Sequence, residues 1–136
     1  MRIIGLDVGS KTIGVAVSDA LGWTAQGVAT IRRRNLEYDL QQLQQIIDQY
    51  EVGSAVVGLP LNMNGSRGES VQNAEALGEA LQKSANIDVC YQDERLTTVA
   101  AQRLLIEGDV SRSKRKNVID KVAATLILQS YLDRQK

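Results

Sequence analysis

The amino-acid sequence predicts an α/β fold, a mixed five-stranded sheet flanked by helices, in one domain over residues 1–136. Hydrophobic residues make up 43% and charged residues 24% of the chain, a balance typical of a globular protein with a buried core. The first two apolar runs are separated only by a short turn at Gly9 to Thr12, which predicts an antiparallel hairpin. The last two apolar runs each follow a helical stripe, which predicts strands parallel to the first, joined by right-handed crossovers.

The five strands are predicted from short runs that are rich in β-branched residues. These runs are Arg2 to Val8, Ile13 to Asp19, Ala25 to Ile31, Ser54 to Leu59, and Ile87 to Gln92. The connections between the first three are short, so we expect an antiparallel meander. The last two strands should lie parallel to the first.

The helices are predicted from apolar residues spaced three and four apart and from capping residues. The expected segments are Asn35 (N-cap) to Tyr50, Ser70 to Ser84, a helix capped by Thr97 or Thr98 that ends before Gly108, and Val118 to Leu132. A basic loop from Asp109 to Asn117 should precede the last of them.

Composition excludes several classes of chemistry. The chain has no histidine, which rules out Ser-His-Asp and Cys-His nucleophiles and histidine zinc sites. The single Cys90 excludes an internal disulfide and fits a reducing compartment. Because no apolar run reaches the length of a membrane span and the N-terminus lacks the pattern of a signal peptide, we expect a cytoplasmic location and no membrane partner.

Carboxylates stand out of pattern at three places. Asp7 ends a strand that should be buried, Asp93 and Glu94 follow the last strand, and Asp120 borders the apolar face of the last helix. Each has an ordinary structural explanation: Asp7 could accept hydrogen bonds in a turn, the Asp93–Glu94 pair could be solvated, and Asp120 could stabilise a helix N-terminus.

The alternative hypothesis is that Asp7, Glu94 and Asp120 converge. Crowded carboxylates stay ionised only if a cation offsets their charge, and an oxygen-only site suits Mg²⁺ or Mn²⁺. Such ions can orient a water for attack on a phosphodiester. The spacing of the acids alone supports this hypothesis only weakly.

Four blocks of the sequence resemble one family. Gly5-Leu6-Asp7-Val8-Gly9-Ser10-Lys11-Thr12 is similar to the opening of the YqgF family, and the later blocks begin at Val57, Asp93 and Asp120, in the family's order. These proteins are pre-16S rRNA nucleases related to RuvC-type Holliday-junction resolvases. The resemblance implies a ribonuclease-H-like fold with strand order 3-2-1-4-5, a metal-dependent nuclease active in maturing the 5′ end of 16S rRNA, and catalytic, metal-binding acids at Asp7, Glu94 and Asp120.

The chain departs from the wider superfamily at the end of the fourth strand. Resolvases carry an acid there, whereas this chain has Gly58-Leu59-Pro60. In the expected order, Glu94 lies two strands from Asp7. At about 4.8 Å per strand, the two residues are about 10 Å apart. Glu94 must therefore extend inward, or the site holds two ions, or it closes only on substrate. Asp93 stays open as the alternative ligand.

Candidate contacts to nucleic acid are basic residues near the acids and polar residues of the loop after the fourth strand. They are Lys11, Asn62, Asn64, Ser66, Arg67, Arg95, Arg112, Lys114, Arg115, Lys116 and Lys121. The basic run from Ser111 to Asn117 could equally be a solvated surface loop. Expected partners are nucleic acid, pre-rRNA rather than branched DNA, and ribosomal particles, with the chain a monomer or weak dimer.

Three other functions stay open. A Holliday-junction resolvase would use the same metal chemistry on DNA and would require a stable dimer. The Asp-x-Gly turn also opens the ATPase fold of actin and the sugar kinases, but that site lies between two lobes and 136 residues supply only one. A non-catalytic module that binds RNA or the ribosome would use the acids only to fold the site.

Overall fold

The computed structural model describes the backbone of residues 1–61, 64–94 and 112–135, and their side chains except those of residues 112–120. Its five strands form one sheet in the order β3-β2-β1-β4-β5. They are β1 (Arg2–Val8), β2 (Thr12–Ser18), β3 (Ala25–Arg32), β4 (Val52–Leu59) and β5 (Asp88–Asp93). The first three pair antiparallel, and β4 and β5 run parallel to β1. The predicted mixed sheet and its order are confirmed.

Three helices lie within the described residues: α1 (Leu36–Tyr50), α2 (Glu69–Ala85) and α3 (Arg112–Gln135). The predicted N-cap of α1 is confirmed, because Asn35 Oδ1 accepts a hydrogen bond of 2.8 Å from the backbone amide of Tyr38. The helix predicted to start at Thr97 or Thr98 lies outside the described residues. No helix of the described residues combines the length and the apolar character that crossing a membrane requires.

The prediction of a basic loop up to Asn117 was wrong, because α3 begins already at Arg112. The sequence suggested a loop because four cations in five positions look like a solvated segment. Arg and Lys are, however, among the stronger helix formers, and no proline or glycine interrupts this stretch. The cations from Arg112 onward therefore stand on the first turns of a helix rather than on a loop.

The two faces of the sheet are covered differently. Large aliphatic side chains, including Ile4, Leu6 and Val15, pack with α1 and α2 on one face. The other face packs α3 against small residues, such as Ala16 with Ala123 and Ala124. A Cβ atom at Gly5 would lie only 2.6 Å from Cβ of Leu128, so glycine is what allows α3 to lie directly on β1. Alternate residues of β1 therefore face α3, and Asp7 is in phase with Gly5.

Candidate active site

Asp7 lies near the carboxyl end of β1, on the face of the sheet that α3 covers. Its neighbours Leu6 and Val8 are buried in the core on the other face, whereas Asp7 itself is half-buried. Asp7 pairs with Gly14 of β2, and Leu6 pairs with Val57, which puts Gly58 of β4 beside Asp7. Both flanking positions are thus glycines, and over Gly58 the side chains of Ile127 and Glu94 come close to the sheet.

Glu94 directly follows β5, and its side chain extends back toward Gly58 in the row of Asp7. Gln92, two residues earlier, is buried and its amide donates to Ser130 Oγ on α3, which fixes the phase of this segment. A Cβ atom at Gly58 would lie 3.2 Å from Cγ of Glu94. The Glu94 side chain therefore extends over β4, toward Asp7 on the next strand. This inward extension of Glu94 is one of the three arrangements that the sequence left open.

Asp93 has the opposite orientation. It pairs with Leu59, and Leu59 packs against the core beneath α1 and α2. Paired residues in neighbouring strands share a face of the sheet, so Asp93 lies on the α1 and α2 side. Asp93 and Asp7 consequently occupy different faces, and Glu94 is the member of the pair that lies on the Asp7 face.

Helix α3 carries Asp120, whose side chain lies outside the described part of the molecule. The backbone at residue 120 is one helical turn before Ala124, whose carbonyl oxygen would lie 3.2 Å from a Cβ atom at Gly5. The far end of α3 is fixed by Gln129, whose amide oxygen accepts from the Ala25 amide and whose nitrogen donates to the Trp23 carbonyl. The N-terminal half of α3 therefore runs toward the Asp7 end of the sheet.

No group of three His, Cys, Asp or Glu residues suited to a metal ion occurs among the described side chains. Asp120 was the predicted third member of such a group, and its side chain is outside that set. The two described members, Asp7 and Glu94, lie on one face of the sheet, with the Glu94 side chain over Gly58 of the intervening strand. The third member, Asp120, belongs to the helix that packs on that face.

The turn that follows Asp7 is anchored by a buried ion pair that sequence reasoning missed. The carbonyl oxygen of Gly9 accepts hydrogen bonds from Arg33 Nη1 (2.9 Å) and Asn73 Nδ2 (3.1 Å). Arg33 Nε is 2.8 Å from Asp39 Oδ2, and the Asp39 side chain is only 1% exposed. These contacts tie the turn to β3, α1 and α2. The available signal was an acid in the first turn of a helix soon after a basic run.

The predicted contacts to nucleic acid have varied surroundings. Lys11 is exposed in the hairpin turn, and Lys121 is exposed on α3, with its Cβ 3.4 Å from where a Cβ of Gly27 would lie. Asn64 Oδ1 accepts a hydrogen bond from the Ser66 amide, and Arg67 pairs with Glu75. Asn62 and Arg95 lie outside the described residues. Arg112, Lys114, Arg115 and Lys116 are helical, with side chains outside the description.

The family of this chain follows from its similarity to known proteins. Residues 1–134 match a family model described as "RuvX: Holliday junction resolvase". The chain belongs to the RuvX family. A Heliobacterium modesticaldum protein is 61% identical over 133 residues, covering 98% of this chain and 89% of that protein. A Moorella thermoacetica protein is 60% identical over 134 residues, covering 98% and 96%. Both relatives of this RuvX-family chain are named "Putative pre-16S rRNA nuclease".

Solved structures confirm the fold expected for a RuvX-family chain. RuvC of Thermus thermophilus, in complex with a Holliday junction substrate, has a TM-score of 0.64 at 13% identity, covering 99% of this chain and 95% of that one. The fowlpox virus Holliday junction resolvase has a TM-score of 0.56 at 13% identity and full coverage of both chains. The ribonuclease-H-like fold is therefore confirmed. The family description and the names of the close relatives disagree about the substrate, a Holliday junction in one and pre-16S rRNA in the other.

Proposed function

We propose that this chain is a divalent-metal-dependent nuclease that hydrolyses a phosphodiester bond during processing of the 5′ end of pre-16S rRNA, in the cytoplasm. The observation that carries the proposal is the side chain of Glu94 lying over Gly58, beside Asp7. The names of relatives at 54–61% identity supply the substrate, since they cover nearly all of this chain.

The residues present suit Mg²⁺ or Mn²⁺. Two carboxylates brought together on one face of a sheet repel each other unless a cation lies between them, and carboxylate oxygens are the ligands that these hard ions prefer. Asp7, Glu94 and Asp120 would hold the ion. When bound, the ion would lower the pKa of a water molecule and stabilise the leaving oxygen.

The chain's own residues supply the positioning. Asp7 is fixed by β1 and by the turn that Arg33 and Asn73 anchor through the Gly9 carbonyl. Gly58, which has no side chain, lets the side chains of Glu94 and Ile127 lie directly over β4 beside Asp7. Asp120 and the basic residues from Arg112 to Lys116 belong to the same helix, α3, which packs on this face. A preorganised site of this kind lowers the barrier by holding the reactants in place.

The direct test is the cleavage rate of an RNA that spans the junction between the 5′ leader and 16S rRNA. Asp7→Asn and Glu94→Gln should each lower the rate about 100-fold or more, since they remove groups that act on the reacting atoms. Asp88→Asn is the matched control, because Asp88 is exposed at the opposite end of β5. It should change the rate by less than about twofold, a difference of about 0.4 kcal/mol in the barrier.

Two outcomes would contradict the proposal. One is cleavage that is unaffected by EDTA and by Asp7→Asn. The other is an Asp7→Asn protein that supports normal rRNA maturation in cells, which would favour the non-catalytic binding module. Restoration of the EDTA-treated enzyme by Mn²⁺, measured together with RNA binding, separates loss of chemistry from loss of substrate affinity.

A second candidate function is cleavage of four-way DNA junctions, which the family description favours. Junction resolution requires two cuts and therefore a stable dimer, whereas we propose a monomer or weak dimer. Cleavage of the RNA and of a DNA junction should be compared at matched salt, with sedimentation velocity of the same protein. Faster junction cleavage by a stable dimer would replace the rRNA proposal with this one.

A further inference from the structure

The three consecutive arginines at the end of β3 have different surroundings. Arg33 is held by Asp39, by the Asn73 amide oxygen and by the Gly9 carbonyl. Arg34 lies over the ring of Tyr38, with its guanidinium carbon 4.6 Å from the ring centre. Arg32 is exposed, and in the described part of the chain its side chain has no hydrogen bond or ion pair. The basic run is thus one structural arginine between two that face solvent.

Arg32 and Arg34 lie on opposite sides of the sheet. Arg32 pairs with Thr12, two residues from the row in which Asp7, Gly14 and Thr30 are aligned. Residues two apart in a strand share a face, so Arg32 is on the Asp7 face. Arg34 instead lines a groove of about 780 Å³ on the α1 and α2 side.

Arg32 is within reach of a substrate bound at Asp7. The two residues are two strands apart, about 10 Å, and offset by about 7 Å along the strands, which gives about 12 Å between Cα atoms. Lys11 is exposed in the intervening hairpin turn, and Lys121 is exposed on α3 above β3. Arg32 and Lys11 therefore lie at the hairpin-turn end of the sheet, and Lys121 lies farther back along β3, over Gly27.

Cations at this place would reduce the repulsion between the site's carboxylates and the phosphates of a bound substrate. The carboxylates that act at the scissile phosphate repel the phosphates on either side of it, because those phosphates carry like charge. Lysine and arginine side chains next to the acids offset this repulsion and release counterions when a backbone binds.

We propose that the substrate's sugar–phosphate backbone leaves Asp7 past the turn that joins β1 and β2, toward the last residue of the edge strand β3, and that Arg32 contacts a phosphate adjacent to the reacting one. The inference rests on the proposed nuclease function and adds the direction of the substrate along this end of the sheet. Arg32 is a binding residue here and takes no part in the chemistry. The ligand chemistry is a polynucleotide backbone, which RNA and DNA share.

The test uses fluorescence anisotropy in an Asp7→Asn background, which prevents hydrolysis. The probes are a fluorescein-labelled RNA across the 16S 5′ junction and a labelled four-way DNA junction, each titrated between 50 and 300 mM KCl. Arg32→Ala should weaken binding about fivefold at 0.1 M salt and reduce the slope of log affinity against log salt by about 0.7 to 0.9, the value of one phosphate contact. Arg32→Lys should retain the slope.

Arg34→Ala is the matched control, because it removes the same charge two residues away on the other face. It should change the affinity by less than about twofold. Equal weakening by both variants would reduce the effect to net charge, and weakening by Arg34→Ala alone would direct the backbone into the groove beside α1; either result overturns the inference. So does a parent protein that binds neither probe at 50 mM KCl. If the binding series behaves as expected but the protein with Asp7 intact cuts neither probe, the nuclease proposal fails instead.

Discussion

The two faces of the sheet differ in how the helices pack on them. The α1 and α2 face buries large aliphatic side chains and the Asp39 carboxylate, which is 1% exposed and pairs with Arg33, whose side chain is 15% exposed. On the α3 face, glycines in β1 and β4 bring the helix so close that a Cβ at Gly5 or Gly58 would overlap it, although large residues such as Ile127 and Leu128 also pack there. The first arrangement stabilises the fold. The second brings the helix that carries Asp120 onto the face that holds Asp7 and Glu94.

This contrast predicts that damage to the two faces has different consequences. Substitutions on the α1 and α2 face should lower the free energy of unfolding and affect cleavage mainly through the folded fraction. Substitutions on the α3 face near Asp7 should lower cleavage by more than their effect on stability explains. Each of the following experiments measures both quantities.

The largest effect is expected for Asp39→Ala. Removal of this carboxylate leaves the Arg33 guanidinium buried without its charge partner and frees the turn after Asp7. Breaking a buried pair in this way costs about 3–5 kcal/mol of unfolding free energy. Urea denaturation followed by circular dichroism measures it, with Asp48→Ala on the exposed side of α1 as the control. A loss below about 1 kcal/mol would mean that the pair contributes no more than a surface ion pair does.

The next effect concerns Gly58 and is the sharpest test of the α3 face. A Cβ atom there would lie 2.5 Å from Cδ1 of Ile127 and 3.2 Å from Cγ of Glu94. Gly58→Ala should therefore destabilise the protein by about 1–3 kcal/mol through overpacking. It should also lower cleavage about tenfold to 100-fold, since a displacement of about 1 Å in a catalytic group can cost that much.

Two further variants separate these causes. Gly53→Ala lies in the same strand, where the nearest atom is the flexible side chain of Met1 at 2.9 Å, and it should be tolerated. Gly58→Ala combined with Ile127→Val removes the conflicting Cδ1 atom, so stability should recover while cleavage stays low. Recovery of both together would show that Gly58 serves packing alone and would remove its link to Glu94.

The sequence contained most of this contrast but not all of it. The strands, the cap at Asn35 and the mixed sheet followed from periodicity and from residue preferences, because each depends on local chemistry. The reach of Glu94 over Gly58 did not, because the absence of a carboxylate on β4 looked like a defect in the site until the packing of β4 was known. The consequence of having glycine at position 58 depends on which side chains pack over it, and the sequence does not show these contacts.

The surroundings of the three consecutive arginines could not be predicted from the sequence either. Arg32, Arg33 and Arg34 are alike in sequence, yet the structure assigns one to a buried pair and leaves the other two on opposite faces. The alternation of side chains along β3 predicts which face Arg32 lies on. The burial of Arg33 depends instead on Asp39 of α1 and Asn73 of α2, and the sequence around Arg33 does not reveal these partners. Charge runs therefore predict that cations are present, and pairing determines which of them are available to a substrate.

The smallest expected effect is at Asn35, and it tests whether the α1 and α2 face contributes only stability. Asn35 accepts from the Tyr38 amide at the start of α1. Asn35→Ala leaves that amide without its side-chain partner, which costs about 1 kcal/mol. Thermal unfolding should register this loss, and Asn35→Asp, which keeps an acceptor oxygen, should restore it. Because the cap belongs to α1, on the other face of the sheet from Asp7 and Glu94, cleavage measured well below the unfolding transition should be unchanged. A cleavage defect in a fully folded Asn35→Ala protein would mean that α1 communicates with the acids, so that the two faces do not act separately.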